Sequence, residues 1–174
     1  MKRLLSIIGA ISLVVVSATN LVACDKNKTH KYTPEELTKL KAENKIDTTD
    51  ENIKDNLEWI APQEKPFNTV DNKWYYVIWK AKNNFLLSKF NNSREERKEE
   101  IIFYDKNDKP NFLLRLDNDI NLLYVYETYQ GKETKFHNWN NLNDYFKSVY
   151  RWNLDTQEPD LVLDNDGNIK VKDE

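Results

Sequence analysis

The chain is poor in the residues that build several common kinds of functional site. Its 174 residues include one cysteine, two histidines and three glycines. A single cysteine excludes an internal disulfide and a cysteine-rich zinc site. The sequence also lacks the G-x-S-x-G, H-E-x-x-H and P-loop motifs. We therefore predict that the protein is not an enzyme, and we expect no catalytic residues, no metal site and no cofactor.

Positive charge is slightly outnumbered by negative charge. The chain has 26 Lys and Arg against 29 Asp and Glu, a formal net charge of −3. A nucleic-acid binder must neutralise phosphates with a basic surface, so this balance argues against a nucleic-acid partner. The length suits one domain with a tail rather than two full domains.

Two acidic stretches carry part of the spacing of a calcium-binding loop. In residues 117–121 the early ligand spacing is present, but Leu122 stands where the loop needs glycine. In residues 164–167 the match is again partial, because Val162 occupies the first ligand position. Both stretches are therefore predicted to be turns.

The N-terminal segment differs from the rest of the chain. Lys2 and Arg3 precede an uncharged run over residues 4–16, and small and polar residues follow at 17–20. That order is typical of a secretory signal peptide. The run is shorter than the roughly 20 residues of a membrane-spanning helix. Because residues 17–23 are also uncharged, an uncleaved anchor helix is the alternative.

The segment ends in Leu21, Val22, Ala23 and Cys24, and Cys24 is the only cysteine. This tetrapeptide resembles the lipobox of bacterial lipoproteins. The resemblance implies that Cys24 receives a diacylglyceryl group with palmitate-type chains, and that a signal peptidase cuts after Ala23. Two acyl chains anchor a protein stably where one does so only marginally. The predicted location is the cell membrane, with the protein lipid-anchored on its extracellular face.

Cleavage would also change the charge of the protein. It removes Lys2 and Arg3 but no acidic residue, so the net charge falls from −3 to −5. Such a domain is not drawn to an anionic membrane by itself, so the lipid must provide the attachment.

The whole pattern resembles the surface lipoproteins of wall-less bacteria (mollicutes) of the Spiroplasma type. The resemblance rests on residues 1–13, on the lipobox and on a Lys- and Asn-rich body. It implies a protein displayed to the medium or to a host. The resemblance does not imply any particular activity.

Residues 24–67 are predicted to form a polar tether with short helices. Thr33, Pro34 and Glu36 have the pattern of a capping box, which predicts a helix from there to about residue 44. A second helix is predicted to begin after Asp50 and to end before Pro62.

The folded domain is predicted to span residues 68–174 and to belong to the α+β class. Its pattern indicates a small antiparallel meander of about five to six strands, packed by a C-terminal helix over residues 141–152. The helix is inferred from the spacing of the apolar residues Leu142, Tyr145, Phe146, Val149 and Trp152. The last predicted element of the chain is a polar hairpin around Asp166 and Gly167.

Aromatic residues give the only candidate binding surface in the predicted domain. Trp74 and Tyr76 lie on one face of their strand, and Tyr124 and Tyr126 lie on one face of theirs. One interpretation is that both strands are central and covered on both sides. The other is that part of one face stays open for a protein or glycan, since tyrosine and tryptophan combine contact area with a polar group.

Two functions remain open at this point. The first is a membrane-anchored surface lipoprotein that displays a small domain to a host or envelope partner. The second is a substrate-binding or hydrolytic accessory lipoprotein of a transporter, which would require a deep pocket with convergent polar groups. The sequence alone indicates neither the partner nor the oligomeric state.

Overall fold

The computed structural model of the protein describes residues 31–98, 102–104, 111–140 and 144–173, with only the backbone described at 102–104 and 111. The predicted signal peptide and lipobox lie outside the described residues. Helices and strands follow in this order: α1 (Pro34–Glu43), α2 (Glu51–Asn56), β1 (Leu57–Trp59), β2 (Trp74–Ala81), β3 (Asn84–Asn91), α3 (Arg94–Lys98), β4 (Ile102–Tyr104), β5 (Asn111–Asp117), β6 (Leu122–Tyr129), β7 (Lys132–Asn138), β8 (Phe146–Trp152), β9 (Leu161–Leu163) and β10 (Ile169–Val171).

The two N-terminal helices begin where the sequence predicts. The Thr33 hydroxyl accepts from the Glu36 amide at 3.2 Å, and the Glu36 carboxylate accepts from the Thr33 amide at 2.8 Å. This reciprocal pair is the predicted capping box of α1. The Asp50 carboxylate caps α2 by accepting from the Asn52 and Ile53 amides, without the reciprocal bond of a capping box. α2 ends at Asn56, earlier than expected, and the chain continues directly into β1.

Within the described residues, the strands form two antiparallel four-stranded sheets and one hairpin. The first sheet has the order β1-β8-β2-β3, and the second has the order β4-β5-β6-β7. Asn83 and Asn84 between two apolar segments predict a hairpin, and β2 and β3 form it with Trp79 opposite Leu86. The predicted C-terminal hairpin is also confirmed as β9 and β10. The antiparallel part of the predicted fold class is therefore right, whereas the single meander is replaced by two sheets.

The predicted C-terminal helix is wrong, because residues 146–152 form β8. This strand lies between β1 and β2, with Val149 opposite Val77 and Tyr150 opposite Trp59. Both of its faces are apolar, since Val149 lies in one core while Tyr150 and Trp152 lie in another. A strand between two neighbours satisfies its backbone hydrogen bonds on both edges, which outweighs the helical spacing of a few apolar residues.

Two cores hold the molecule together. The inter-sheet core lies between the sheets and contains these residues: Ile60, Phe67, Tyr75, Val77, Trp79, Ala81, Phe90, Phe112, Leu114, Leu116, Leu123, Val125, Trp139 and Val149. The outer core covers the other face of the first sheet and contains these residues: Ile46, Ile53, Leu57, Tyr76, Ile78, Tyr150, Trp152, Leu161 and Ile169. The first sheet is thus covered on both faces.

The segment that the sequence analysis assigns to the tether contributes to both cores. Ile46, Ile53 and Leu57 are buried in the outer core, and Ile60 and Phe67 are buried in the inter-sheet core. β1 also completes the first sheet by pairing with β8. Residues 46–67 are therefore packed as part of the folded body rather than separate from it.

Candidate functional site

Two of the four candidate aromatic residues lie in the outer core region of the first sheet. Tyr76 is 1% exposed, and its hydroxyl donates to the Pro159 carbonyl oxygen at 2.6 Å. Trp74 is half-buried beside it, with the Lys89 ammonium 5.1 Å above its ring. Both residues are packed where the C-terminal hairpin covers the sheet, so they do not form an open surface.

The other two candidates lie on the outer face of the second sheet. Tyr124 and Tyr126 alternate with the inward residues Leu123 and Val125 along β6. Tyr126 pairs with Phe136 on β7, and Tyr124 pairs with Arg115 on β5. No described residue of this face belongs to either core. The four candidates therefore belong to two different sheets and make no common surface.

The outer face presents one compact cluster, here called the outer patch and defined by Arg115, Tyr124, Tyr126 and Phe136. The Tyr126 ring centroid lies 4.7 Å from that of Phe136 and 5.9 Å from that of Tyr124. The Arg115 guanidinium lies 6.0 Å from the Tyr126 ring. Phe136 is 56% exposed, whereas Tyr126 is 4% exposed and forms the base of the patch.

Sequence reasoning missed Arg115 and Phe136. Arg115 lies on β5 and Phe136 on β7, and each pairs with one of the two tyrosines. Their position in the patch depends on the register between neighbouring strands, which no short motif specifies at this site. The alternation of Phe136 with the polar His137 is the single signal that would have placed it on an outward face.

The free edge of the second sheet is protected against further strand pairing. β7 is the last strand of this sheet, and its pairing with β6 is interrupted by a register shift after Glu127. Lys132 and Lys135 are exposed on this strand. Bulges and lysines on edge strands both discourage edge-to-edge association. The face of this sheet is therefore a better candidate contact surface than its edge.

A polar cluster joins the second sheet to the segment that leads into β8. The Glu127 carboxylate accepts from the Tyr145 hydroxyl at 2.7 Å and lies 3.3 Å from His137 Nε2. The His137 and Tyr145 rings stack with centroids 3.5 Å apart. The Tyr145 carbonyl oxygen accepts from the Lys80 amide at 2.8 Å, so this residue connects both sheets. His137 is thus a hydrogen-bonded residue of a structural cluster.

The cluster shifts two ionisations. Burial, and then the hydrogen bond to Glu127, raise the pKa of Tyr145 to about 12. Burial acts to raise the pKa of Glu127, but the hydrogen bonds from Tyr145, Lys135 and His137 hold it below its usual value. Because Tyr145 donates its proton to a carboxylate, the folded state favours the neutral phenol.

Replacing Tyr145 with phenylalanine should destabilise the protein in a pH-dependent way. At pH 8 we expect a loss of about 1 kcal/mol in the free energy of unfolding, from one lost hydrogen bond. The folded-state pKa of Tyr145 is raised, so its contribution is full below pH 10 and is lost as the pH rises through about 12. Urea denaturation of wild type and Tyr145→Phe between pH 8 and pH 12 measures the difference in their free energies of unfolding. A difference that stays constant or grows over that range would contradict the hydrogen bond from the neutral Tyr145 hydroxyl to Glu127.

The described residues offer no ready metal site. Among residues 31–98, 102–104, 111–140 and 144–173, no three His, Cys, Asp or Glu side chains come together as ligands. Within the same residues no helix is both long and apolar enough to span a bilayer. Cys24 and its lipobox lie outside this part of the chain, so lipidation stays a prediction from the sequence.

Comparison with known proteins yields no relative. No family model matches the chain, and neither the curated proteins nor the solved structures contain a match to it. Functional inference therefore rests on the sequence and on the geometry of this fold.

Proposed function

We propose that the protein is a lipid-anchored surface lipoprotein whose β-sheet domain binds a protein partner of the host or of the cell envelope. The observation that carries the proposal is the outer patch, an aromatic cluster with Arg115 on a sheet face that neither core covers. The lipobox sequence at residues 21–24 supports the anchor. The resemblance to Spiroplasma-type lipoproteins supports the location.

The chain approaches the domain at the first sheet, away from the outer patch. Tyr32 exchanges two hydrogen bonds with the Gln63 side chain, at 2.5 and 2.9 Å. α1 is held to the edge strand β1 by the ion pair of Lys41 with Glu58. Glu58 lies on the edge strand of the first sheet, whereas the outer patch lies on the second sheet. The first described residues therefore contact the first sheet rather than the patch, which supports a patch that a partner can reach.

The composition and shape of the outer patch favour a protein partner over an extended glycan. Tyrosine and arginine are enriched among the residues that dominate binding energy in protein interfaces. The ring of Tyr126 is inclined by 43° to that of Tyr124 and by 71° to that of Phe136. Rings at such angles do not form a flat stacking platform for consecutive sugar units. They form an uneven apolar surface that accommodates side chains of a partner.

The anchor is tested by replacing Cys24 with serine. In the full chain expressed in a bacterium, wild type is expected to incorporate labelled palmitate and to enter the detergent phase of a Triton X-114 extraction. Cys24→Ser is expected to lose both properties, because the oxygen analogue is not lipidated. Equal partitioning of the two proteins would instead support an uncleaved anchor helix.

The patch is tested with residues 25–174 as a labelled soluble protein on intact host cells, with excess unlabelled protein as competitor. Saturable binding should fall by about tenfold or more in Tyr124→Ser and Phe136→Ser, as for interface hot spots. The matched control is Tyr129→Ser, because Tyr129 is 60% exposed and does not belong to the patch. Binding that is unchanged in the patch variants, or reduced equally in the control, would contradict the proposed surface.

A further inference from the structure

A concave surface lies at one end of the two sheets, where loops from both sheets meet. This loop-end cleft has a volume of about 270 Å³. It lies between the turn that precedes β2 and the β5–β6 turn. The residues that matter for its chemistry are Lys65, Asn68, Ile120, Asn121, Trp139 and Asn140.

The walls of the loop-end cleft are fixed by one arginine on α3. Arg97 donates from Nη2 to the Phe67 carbonyl oxygen at 2.6 Å and from Nη1 to Asn121 Oδ1 at 2.9 Å. Its Nε donates to Asn92 Oδ1 at 2.6 Å. Asn92 is fully buried and donates in turn to Asp71 at 2.8 Å. The two walls are therefore held at a set distance before any ligand arrives, which lowers the entropic cost of binding.

The backbone at the rim of the cleft adopts the left-handed turn conformation at two residues. Lys65 has a φ of 48° and Asn121 a φ of 55°, both in the left-handed region. Asparagine tolerates this conformation in turns, whereas a lysine adopts it rarely. Asn72, Lys82, Gln130 and Asp173 have a positive φ elsewhere in the described chain, so at the rim this conformation indicates tight turns that their surroundings hold in place.

The polar groups of the cleft define the ligand class. Three amides line it, from Asn68, Asn121 and Asn140, and Lys65 is the one charged side chain among the described lining residues. Because Asn121 Oδ1 accepts from Arg97, its amide offers N–H donors to a ligand. Amides pair with hydroxyl or acetamido groups, and an ammonium pairs with a single acid group.

The apolar groups of the cleft narrow the class further. Trp139 is 6% exposed and lies in the wall, while Ile120 is 54% exposed at the rim. The volume is just below the roughly 300–1,000 Å³ of pockets that take drug-sized molecules, so the ligand is smaller than these. A compact ring with one apolar face and several hydroxyls satisfies both sets of groups.

We propose that the loop-end cleft binds one sugar residue, either neutral or carrying a single acid group. A monosaccharide offers hydroxyls to the three amides and C–H groups to Ile120 and Trp139. An acid group on the sugar would pair with Lys65. This proposal does not depend on the lipid anchor or on the outer patch, because it uses neither.

The test is a titration of ¹⁵N-labelled protein, residues 25–174, followed by amide chemical shifts. The probes are galactose and N-acetylglucosamine as neutral sugars and N-acetylneuraminic acid as the acidic one. At least one sugar is expected to bind with a dissociation constant of about 1 mM. The shifted amides should include those of Ile120, Asn121 and Trp139.

Two variants and one control sharpen the test. Asn68→Ala should weaken binding about fivefold through one lost hydrogen bond. Lys65→Gly keeps the fold because glycine adopts a positive φ without strain, and it should weaken binding of the acidic sugar alone. The matched control, Asn165→Ala, removes an exposed amide from the turn of the β9–β10 hairpin and should leave binding unchanged.

The results that would overturn the proposal are specific. No shift with any of the three sugars at about ten times the expected dissociation constant would do so. Shifts confined to residues outside the cleft, or unchanged affinity in Asn68→Ala, would also overturn it. Tighter binding of free amino acids such as glutamate than of the sugars would show that the ligand class is wrong. None of these outcomes affects the test of the outer patch.

Discussion

A protein that begins at residue 68 is expected not to fold, whereas residues 25–174 are expected to unfold cooperatively. Truncation at residue 68 removes β1, so β8 becomes an edge strand of the first sheet. It also removes five large apolar side chains that are at most 8% exposed, those of Ile46, Ile53, Leu57, Ile60 and Phe67. The loss therefore affects both cores at once.

The energy of this loss exceeds what a small domain can tolerate. Burial of each such side chain contributes about 2 kcal/mol. Five of them together contribute about as much as the whole free energy of unfolding of a typical domain, roughly 5–15 kcal/mol. The truncated protein should show no cooperative thermal transition by circular dichroism and poorly dispersed amide resonances.

A truncation that begins at Lys45 is the matched control. It removes α1, which contains no buried residue. It also removes Lys41 from its ion pair with Glu58, but Arg151 still donates to that carboxylate at 2.7 Å. Partly exposed ion pairs contribute little, so the loss should be about 1 kcal/mol or less. A cooperative transition in the protein that begins at residue 68, near that of this control, would contradict the packing described for residues 46–67.

Local signals account for the parts of the fold that the sequence predicted. The capping residues Thr33 and Asp50 begin helices in the structure as expected. The turns between β2 and β3, between β6 and β7 and between β9 and β10 join strands that pair directly. Each of these features is set by residues close together in the chain, which is why it can be inferred from sequence pattern.

Long-range pairing accounts for the parts that the sequence missed. β8 pairs with β1 and β2, which lie far away in the chain, and no local pattern records those partners. Its residues Phe146, Val149 and Trp152 have spacing compatible with a helix face, yet Val149 and Trp152 contact different cores in the strand. The division of the strands into two sheets was also missed, because it too depends on pairing between distant parts of the chain.

Long-range contacts also limit how much of the candidate site can be predicted from sequence. Alternation along single strands correctly predicted that Tyr124 and Tyr126 share a face and that Trp74 and Tyr76 share another. Which of these faces is covered depends on Ile46 and the C-terminal hairpin, which come from the two ends of the described chain. Strand alternation therefore placed each pair on one face, but it could not show that the two pairs belong to different sheets.

Replacing Phe67 with alanine is expected to cause the largest loss of stability of any single substitution considered. Phe67 is 1% exposed in the inter-sheet core. Its ring centroid lies 5.0 Å from that of Tyr75, 5.9 Å from that of Phe90 and 5.7 Å from that of Trp139, so it packs between the first sheet and the residue that follows β7. Truncation of a buried phenylalanine leaves a cavity and typically costs about 3–5 kcal/mol.

The matched control is Phe136→Ala, which makes the same chemical change at a residue that is 56% exposed. There the free energy of unfolding should change by less than about 0.5 kcal/mol, since the side chain lies largely in water. Urea denaturation of the three proteins at one pH measures both values. Equal losses in the two variants would contradict the burial of Phe67 between the sheets. An unchanged stability of Phe136→Ala would also show that loss of cell binding on substitution of Phe136 reports on the outer patch rather than on unfolding.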